Sequence, residues 1–324
     1  MPYKNYNYSY VDVATDEYKY YTMSYDRLGI GMSSHGEPLN EIQAPLEIAA
    51  LYELTQKLRS GTFPGVTRAF KKVVHVGHSF GSGQTYAMVN MYPGSSDGIV
   101  LTGFSMNSTF TPLFYAGANF VTARDNQPLR FGPVNGTVAQ SFLNMYAGPL
   151  VDYLAPIDLT LLPTPQNLPS GYVISSNMEA AKFLFLKPQF YETTILDLAE
   201  RTKQPVTYGE LLTLGSVPMK NNYAGPVMVL TGGTPNNLII MVHMLTPKTD
   251  SDVPYCGGDC LATGDPALTS IPAAVMNSFP NVPAANFTAY IQPNTGHVIN
   301  LHYNSTGAYN VINTFFNSKG LMST

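Results

Sequence analysis

Short runs of apolar, often β-branched residues alternate along the chain with segments whose apolar positions recur every three or four residues. Lys72 to Val76 (KVVHV) is nearly continuous in its apolar character, the pattern of a parallel strand buried on both faces. Gly98 to Phe104 (GIVLTGF), Pro226 to Leu230 (PVMVL) and Phe287 to Ile291 (FTAYI) read as further strands. So does Tyr20 to Tyr25 (YYTMSY), an aromatic, β-favouring run followed by the Gly-rich DRLGIG. Helical spacing marks Glu41 to Arg59, which stops at Ser60-Gly61, the stretch GQTYAMVNMY, which stops before Pro93-Gly94, and Ala308 to Asn317. Strands alternating with helices predict an α/β fold with a mostly parallel sheet flanked by helices.

The pattern changes between Ser105 and Asn222. Pro and Gly are frequent there, and the apolar spacing is mainly helical, as in EAAKFLFL and ETTILDLAERT. This predicts a large, mainly helical cap inserted between strands. Residues 1–104 and 223–324 then form the two parts of the core, and 105–222 the cap.

Composition narrows the partners. Only 12% of residues are charged, about half the usual share. The formal net charge is -4 and no Lys/Arg-rich run occurs, which argues against a nucleic-acid partner. No apolar run is long enough for a membrane span, and the first residues lack the apolar core of a signal peptide. Asn-x-Ser/Thr sequons at Asn7, Asn107, Asn135, Asn286 and Asn304 lean towards secretion. The two cysteines, Cys256 and Cys260 in CGGDC, read as a local disulfide, which suits an oxidising compartment. A metal site is the weaker reading, because no nearby His or Cys pair completes a ligand set.

The chemistry centres on Gly77-His78-Ser79-Phe80-Gly81, a G-x-S-x-G pattern with a β-branched strand before it and a helix after it. Glycines allow a tight strand-to-helix turn that lifts the Ser79 hydroxyl above the sheet at a helix N-terminus. The backbone N–H of Phe80 then points at a developing oxyanion. The bland alternative is a Gly-rich β–α turn with an incidental serine.

In these motifs the chain resembles the α/β-hydrolase fold enzymes, and more narrowly a fungal group of them, many secreted. The resemblance rests on Asp26-Arg27-Leu28-Gly29-Ile30-Gly31 with Ser33, on SSHGEPLNEIQAPLEIAAL, VVHVGHSFGSG and CGGDC, and on PNTGHVINLHYNSTGAYNVINTFF. It implies a triad in the chain order Ser, acid, His. Six histidines are present: His35, His75, His78, His243, His297 and His302. His297, in PNTGH just after the Phe287–Ile291 strand, is the expected base, with His302 as the structural rival. His78 is expected to point away from the serine oxygen. The acid is harder to place. LTGGTPNN after PVMVL carries no carboxylate, but Asp252 in DVPYC resembles the family's acid-bearing turn. Asp250 and Asp259 are alternatives, each with a bland reading as a turn residue. The segment Thr234 to Thr249 reads as an insertion, since joining LTGG to TDSDVPYC restores a short strand-to-acid turn.

Against the family pattern, the residues before Asp26 are too few for three strands, and NYSYVDVA reads as the short helix that follows the oxyanion loop. The expectation is a chain truncated at its N-terminus, lacking that loop's second N–H donor, with low or absent activity; one such donor is worth about 10²–10³ in turnover. Three functions compete. The first is a serine hydrolase, an esterase or lipase-like enzyme, cleaving a small-molecule ester or related acyl bond, with an apolar substrate and no cofactor. The second is a non-catalytic homologue acting as a binding module. The third is other triad chemistry, such as C–C hydrolysis or cyanohydrin cleavage.

Overall fold

In chain order the strands are β1 (Val74–His78), β2 (Gly98–Thr102), β3 (Val121–Thr122), β4 (Tyr172–Ile174), β5 (Val206–Thr207), β6 (Val227–Gly233) and β7 (Phe287–Pro293). These come from a computed structural model, which describes residues 7–133, 166–233 and 252–322. Strands β1, β2, β6 and β7 form one sheet in the order β1-β2-β6-β7, parallel throughout. Register pairs Val76 with Val100, and Leu101 with Val229.

The inner strands β2 and β6 are buried on both faces, which is why they read as continuous apolar runs. Ile99, Leu101, Val227 and Val229 face helices α1 (Ala44–Ser60) and α2 (Phe80–Met91), meeting Ile48, Leu51, Tyr86, Met88 and Val89. Their strand neighbours Val100, Met228 and Leu230 face the opposite way, against Ile312, Phe315 and Phe316 of the C-terminal helix Ser305–Ser318. Helix α1 begins with Pro45 in its first turn and ends on Gly61 at φ 72, the left-handed stop that Ser60-Gly61 announces.

One expectation needs correction. Tyr20 to Tyr25 is not a strand. Its aromatic rings bind elsewhere: the Tyr20 hydroxyl donates to Asn317 Oδ1 at 2.8 Å and to the Leu321 carbonyl at 3.0 Å, and Tyr21 packs edge-on against Phe70. β-propensity measures packing on a pleated surface, and no strand lies beside this run among the described residues. The segment between β2 and β6 is mainly helical among the described residues. Helices such as Thr111–Ala118, Met178–Phe185, Thr193–Thr202 and Tyr208–Thr213 surround a small antiparallel sheet, β3-β4-β5, whose two- and three-residue strands are too short to show a period. Near the N-terminus, Ser9 caps a helical turn at Tyr10–Asp12 that runs on into a wider turn over Val13–Glu17. The segment Thr234 to Thr249, with Asp250 and His243, lies outside the described residues.

Candidate active site

Strand β1 runs directly into α2, and Ser79 sits at the junction with φ 52 and ψ -114, a region that side chains rarely occupy. Such strain costs on the order of 1–3 kcal/mol and persists only where the surroundings over-determine it. Here they do. Ser79 N–H donates to the Thr102 carbonyl at 2.9 Å, and its own carbonyl accepts from Ser82 N–H at 2.9 Å and Gly83 N–H at 3.1 Å. A Cβ on Gly77 would lie 2.5 Å from the Gly81 carbonyl oxygen, so the turn tolerates no side chain there. Phe80 is the first residue of α2, so its N–H has no acceptor within the helix and points out of its N-terminus.

His297 lies on the loop after β7. That loop is pinned at several points: Asn294 N–H to the Gly233 carbonyl (3.0 Å), Thr295 Oγ1 to the Gln292 carbonyl (3.0 Å) and Val298 N–H to the Phe185 carbonyl (3.1 Å). Asp252 caps the short helix Val253–Cys256, accepting from Tyr255 N–H at 3.1 Å through Oδ1. Its Oδ2 accepts the Thr231 hydroxyl at 2.6 Å. Loop and cap meet where His297 Nδ1 comes within 2.9 Å of Asp252 Oδ1, with both side chains almost wholly buried (1% and 0% exposed). Burial pushes the Asp252 carboxyl up, but the adjacent His297 and the hydrogen bonds from Thr231 and Tyr255 outweigh it, and the net shift is downward. The Cys256–Cys260 disulfide forms, directly after the Asp252 cap.

Three further side chains belong to this cluster; sequence reasoning passed over Tyr255 and Thr231 and set His78 aside. The Tyr255 ring lies 5.7 Å from that of His297. Burial above all, with the Asp252 charge, pushes the Tyr255 hydroxyl well above its ordinary range despite its hydrogen bond with Ser79, so it stays protonated. Thr231 orients the carboxylate from the end of β6. The His78 ring lies 4.9 Å from that of His297. Thr102 Oγ1 spends its hydrogen on the Gly77 carbonyl, so His78 Nδ1 is the donor in its 3.0 Å contact with Thr102. Burial first, then the His297 charge, pushes His78 down to about 3, which keeps it neutral. Only Tyr255 left a trace in the sequence, as the residue three past an N-cap aspartate.

The rival residues have other employment. His302 Nε2 accepts from Lys187 N–H at 2.9 Å and Gly296 N–H at 3.0 Å, and its Nδ1 contacts the Val298 carbonyl at 2.9 Å. Burial pushes it down to about 4, so it is a neutral bracket for the His297 loop. Asp259 Oδ1 accepts Leu261 N–H at 3.0 Å, a turn contact. Among the described residues, no cluster of three or more His, Cys, Asp or Glu could hold a metal ion. Nor is any helix of these residues long and apolar enough to cross a membrane.

No protein-family model and no curated protein matches the chain. Solved structures do. A methylesterase from Arabidopsis superposes with a TM-score of 0.52 at 12% identity, over 95% of this chain and 92% of that one. Tomato methylketone synthase I, in complex with β-ketoheptanoate, superposes with a TM-score of 0.50 at 12% identity, over 96% and 92%. The fold is that of the α/β hydrolases. Within this α/β-hydrolase fold, Ser79 follows β1, Asp252 comes after β6 and His297 after β7, the serine–acid–histidine order of such enzymes.

Proposed function

We propose that the chain is a serine hydrolase acting on an ester or related acyl bond of a small, largely apolar molecule. The observations that carry this reading are a strained serine at a strand-to-helix turn and a buried His297–Asp252 pair at 2.9 Å, with the ring of His78, the residue before the serine, 4.9 Å from that of His297. Asp252 accepts the Nδ1–H of His297 as a hydrogen bond and stays ionised, which fixes the tautomer with Nε2 free to accept a proton. Ser79 Oγ attacks the acyl carbon as His297 removes its proton. The oxyanion that forms is held by the Phe80 N–H at the start of α2. His297 then returns the proton to the leaving alcohol, and water releases the acyl group by the same steps in reverse.

Burial shapes these roles. Asp252 stays ionised because the Thr231 hydroxyl and the Tyr255 N–H donate to it and His297 lies against it, so it can stabilise an imidazolium that would otherwise be costly in a dry site. The Phe185 ring stacks on His297 at 5.6 Å and excludes water from it. Apolar side chains of the inserted segment, including Phe114, Phe120 and Leu184, pack with Val253 next to Asp252, which supports an apolar acyl group. The disulfide supports an oxidising, extracellular setting. A fluorophosphonate probe tests the reading. It should label the wild-type chain and leave Ser79→Ala unlabelled; equal labelling of both, or none on a folded wild type, would reject it.

A further inference from the structure

Exposure divides the cluster around the nucleophile. His297, Asp252 and Thr231 are buried, whereas Ser79 and Tyr255 keep part of their surface open to solvent. Tyr255 comes from the short helix Val253–Cys256, and its hydroxyl is hydrogen-bonded with Ser79. The residue is held at several points. Its N–H donates to Asp252 Oδ1 at 3.1 Å, and its carbonyl accepts from Ser105 Oγ at 3.1 Å. Its ring lies 6.0 Å from that of Phe104 and 5.7 Å from that of His297. The next residue is tied into the Cys256–Cys260 disulfide. A hydroxyl fixed in this way needs no reorganisation to meet a developing charge, and that is the condition for an effective donor.

Packing alone does not call for that hydroxyl. The rings beside it are phenylalanines, Phe104 against Tyr255 and Phe185 stacked on His297 at 5.6 Å, and a phenylalanine would fill the Tyr255 position as well. Burial first, then the Asp252 and Tyr115 charges, push the hydroxyl well above its ordinary range against the Ser79 hydrogen bond, so it keeps a hydrogen to donate. We propose that the Tyr255 hydroxyl is a catalytic hydrogen-bond donor to the oxyanion, acting beside the Phe80 N–H. The proposal rests on the hydrolase reading above. In the free chain the hydroxyl is paired with Ser79. As Ser79 Oγ bonds to the acyl carbon, its proton passes to His297 and the carbonyl π pair moves onto the carbonyl oxygen. Both oxygens then share one carbon, so the Tyr255 hydrogen turns from Oγ to the oxyanion. It turns back when the carbonyl re-forms and the leaving group departs with the proton from His297. The phenol keeps its own proton throughout.

The test is Tyr255→Phe, assayed on the p-nitrophenyl and ethyl esters of one fatty acid beside fluorophosphonate labelling of the wild type. Both kcat and kcat/KM should fall about 10²-fold, equally on the two esters and with KM little changed. A trifluorinated tyrosine at the same position keeps ring and hydroxyl but ionises at lower pH. It should add a fall in kcat on the alkaline side, where the wild type is flat, because a phenolate has no hydrogen to donate; a packing role would not move that profile. A labelled, active wild type whose Tyr255→Phe variant stays within about threefold overturns this proposal and leaves the hydrolase reading standing. A loss confined to the ethyl ester places the hydroxyl on the leaving oxygen, and a rise in KM alone places it in substrate binding; either overturns the proposal. If Tyr255→Phe fails to fold, a flat alkaline profile in the fluorinated chain overturns it. A folded wild type that the probe leaves unlabelled removes the hydrolase reading and this proposal with it.

Discussion

Replacing Asp252 with asparagine removes one charge and leaves the local scaffold standing. In the wild type, Oδ1 faces both His297 Nδ1 (2.9 Å) and Tyr255 N–H (3.1 Å), while Oδ2 accepts the Thr231 hydroxyl (2.6 Å). An asparagine can keep its oxygen on the first pair and donate its amide hydrogen to Thr231 Oγ1, whose hydroxyl rotates to accept. Histidine tautomer, cap and turn all survive, so the loss falls on stabilising the imidazolium. Unit charges about 4 Å apart at an effective dielectric of about 20 attract by about 4 kcal/mol, or about a thousandfold in rate. The assay is the second-order rate of fluorophosphonate labelling, with kcat/KM on a short p-nitrophenyl ester beside it and near-UV circular dichroism to show that packing persists. A variant within tenfold of wild type would refute the assignment of Asp252. So would a variant that loses its fold, because the argument requires the hydrogen bonds to be replaceable.

Other outcomes follow from the same contacts. Gly77→Ala sets a Cβ 2.5 Å from the Gly81 carbonyl oxygen, and should destabilise by about 1–3 kcal/mol or more in denaturant titration and abolish labelling. Burial pushes the Glu47 carboxyl up to about 7 from 4.5, against the pull of Arg27 and Gln84. The folded chain then binds more protons than the unfolded one between those values, so stability should fall as pH rises from about 4.5 to about 7, and Glu47→Gln should flatten that slope in melts taken across the range. Removing the Cys256–Cys260 bridge, which spans a separation of 4, should cost about 2 kcal/mol on loop-entropy grounds, read as a lowered denaturation midpoint for the double alanine variant. His302→Phe leaves the buried N–H groups of Lys187 and Gly296 without an acceptor, and should destabilise by about 2–6 kcal/mol in the same titration.

Much of the architecture was legible because burial on both faces writes itself into a strand. KVVHV, GIVLT and PVMVL carry no polar alternation, and each is a strand of the parallel sheet. Helix α1 was equally plain, with its Ser60-Gly61 stop. Tyr20 to Tyr25 misled because aromatic residues favour strands only where a neighbour supplies the ladder, and here their hydroxyls and rings satisfy themselves on Asn317, Leu321 and Phe70. Strands β3, β4 and β5 are set by tertiary contact rather than by pattern. At the site, Ser79 was visible from its glycines, because steric demand restricts what can stand beside it. Thr231 was not, because it joins the cluster through distant pairing: β6 delivers it across 21 residues to Asp252, a relation no local window contains.

The account turns on whether the Ser79 hydroxyl reacts under the control of His297. A crystal structure of the chain after reaction with a fluorophosphonate measures this directly. The account predicts phosphorus bonded to Ser79 Oγ, a phosphonyl oxygen accepting from Phe80 N–H, and the His297 ring beside the adduct with Nδ1 still on Asp252. Phosphorus on another residue, or an adduct on Ser79 with His297 out of reach, would contradict it.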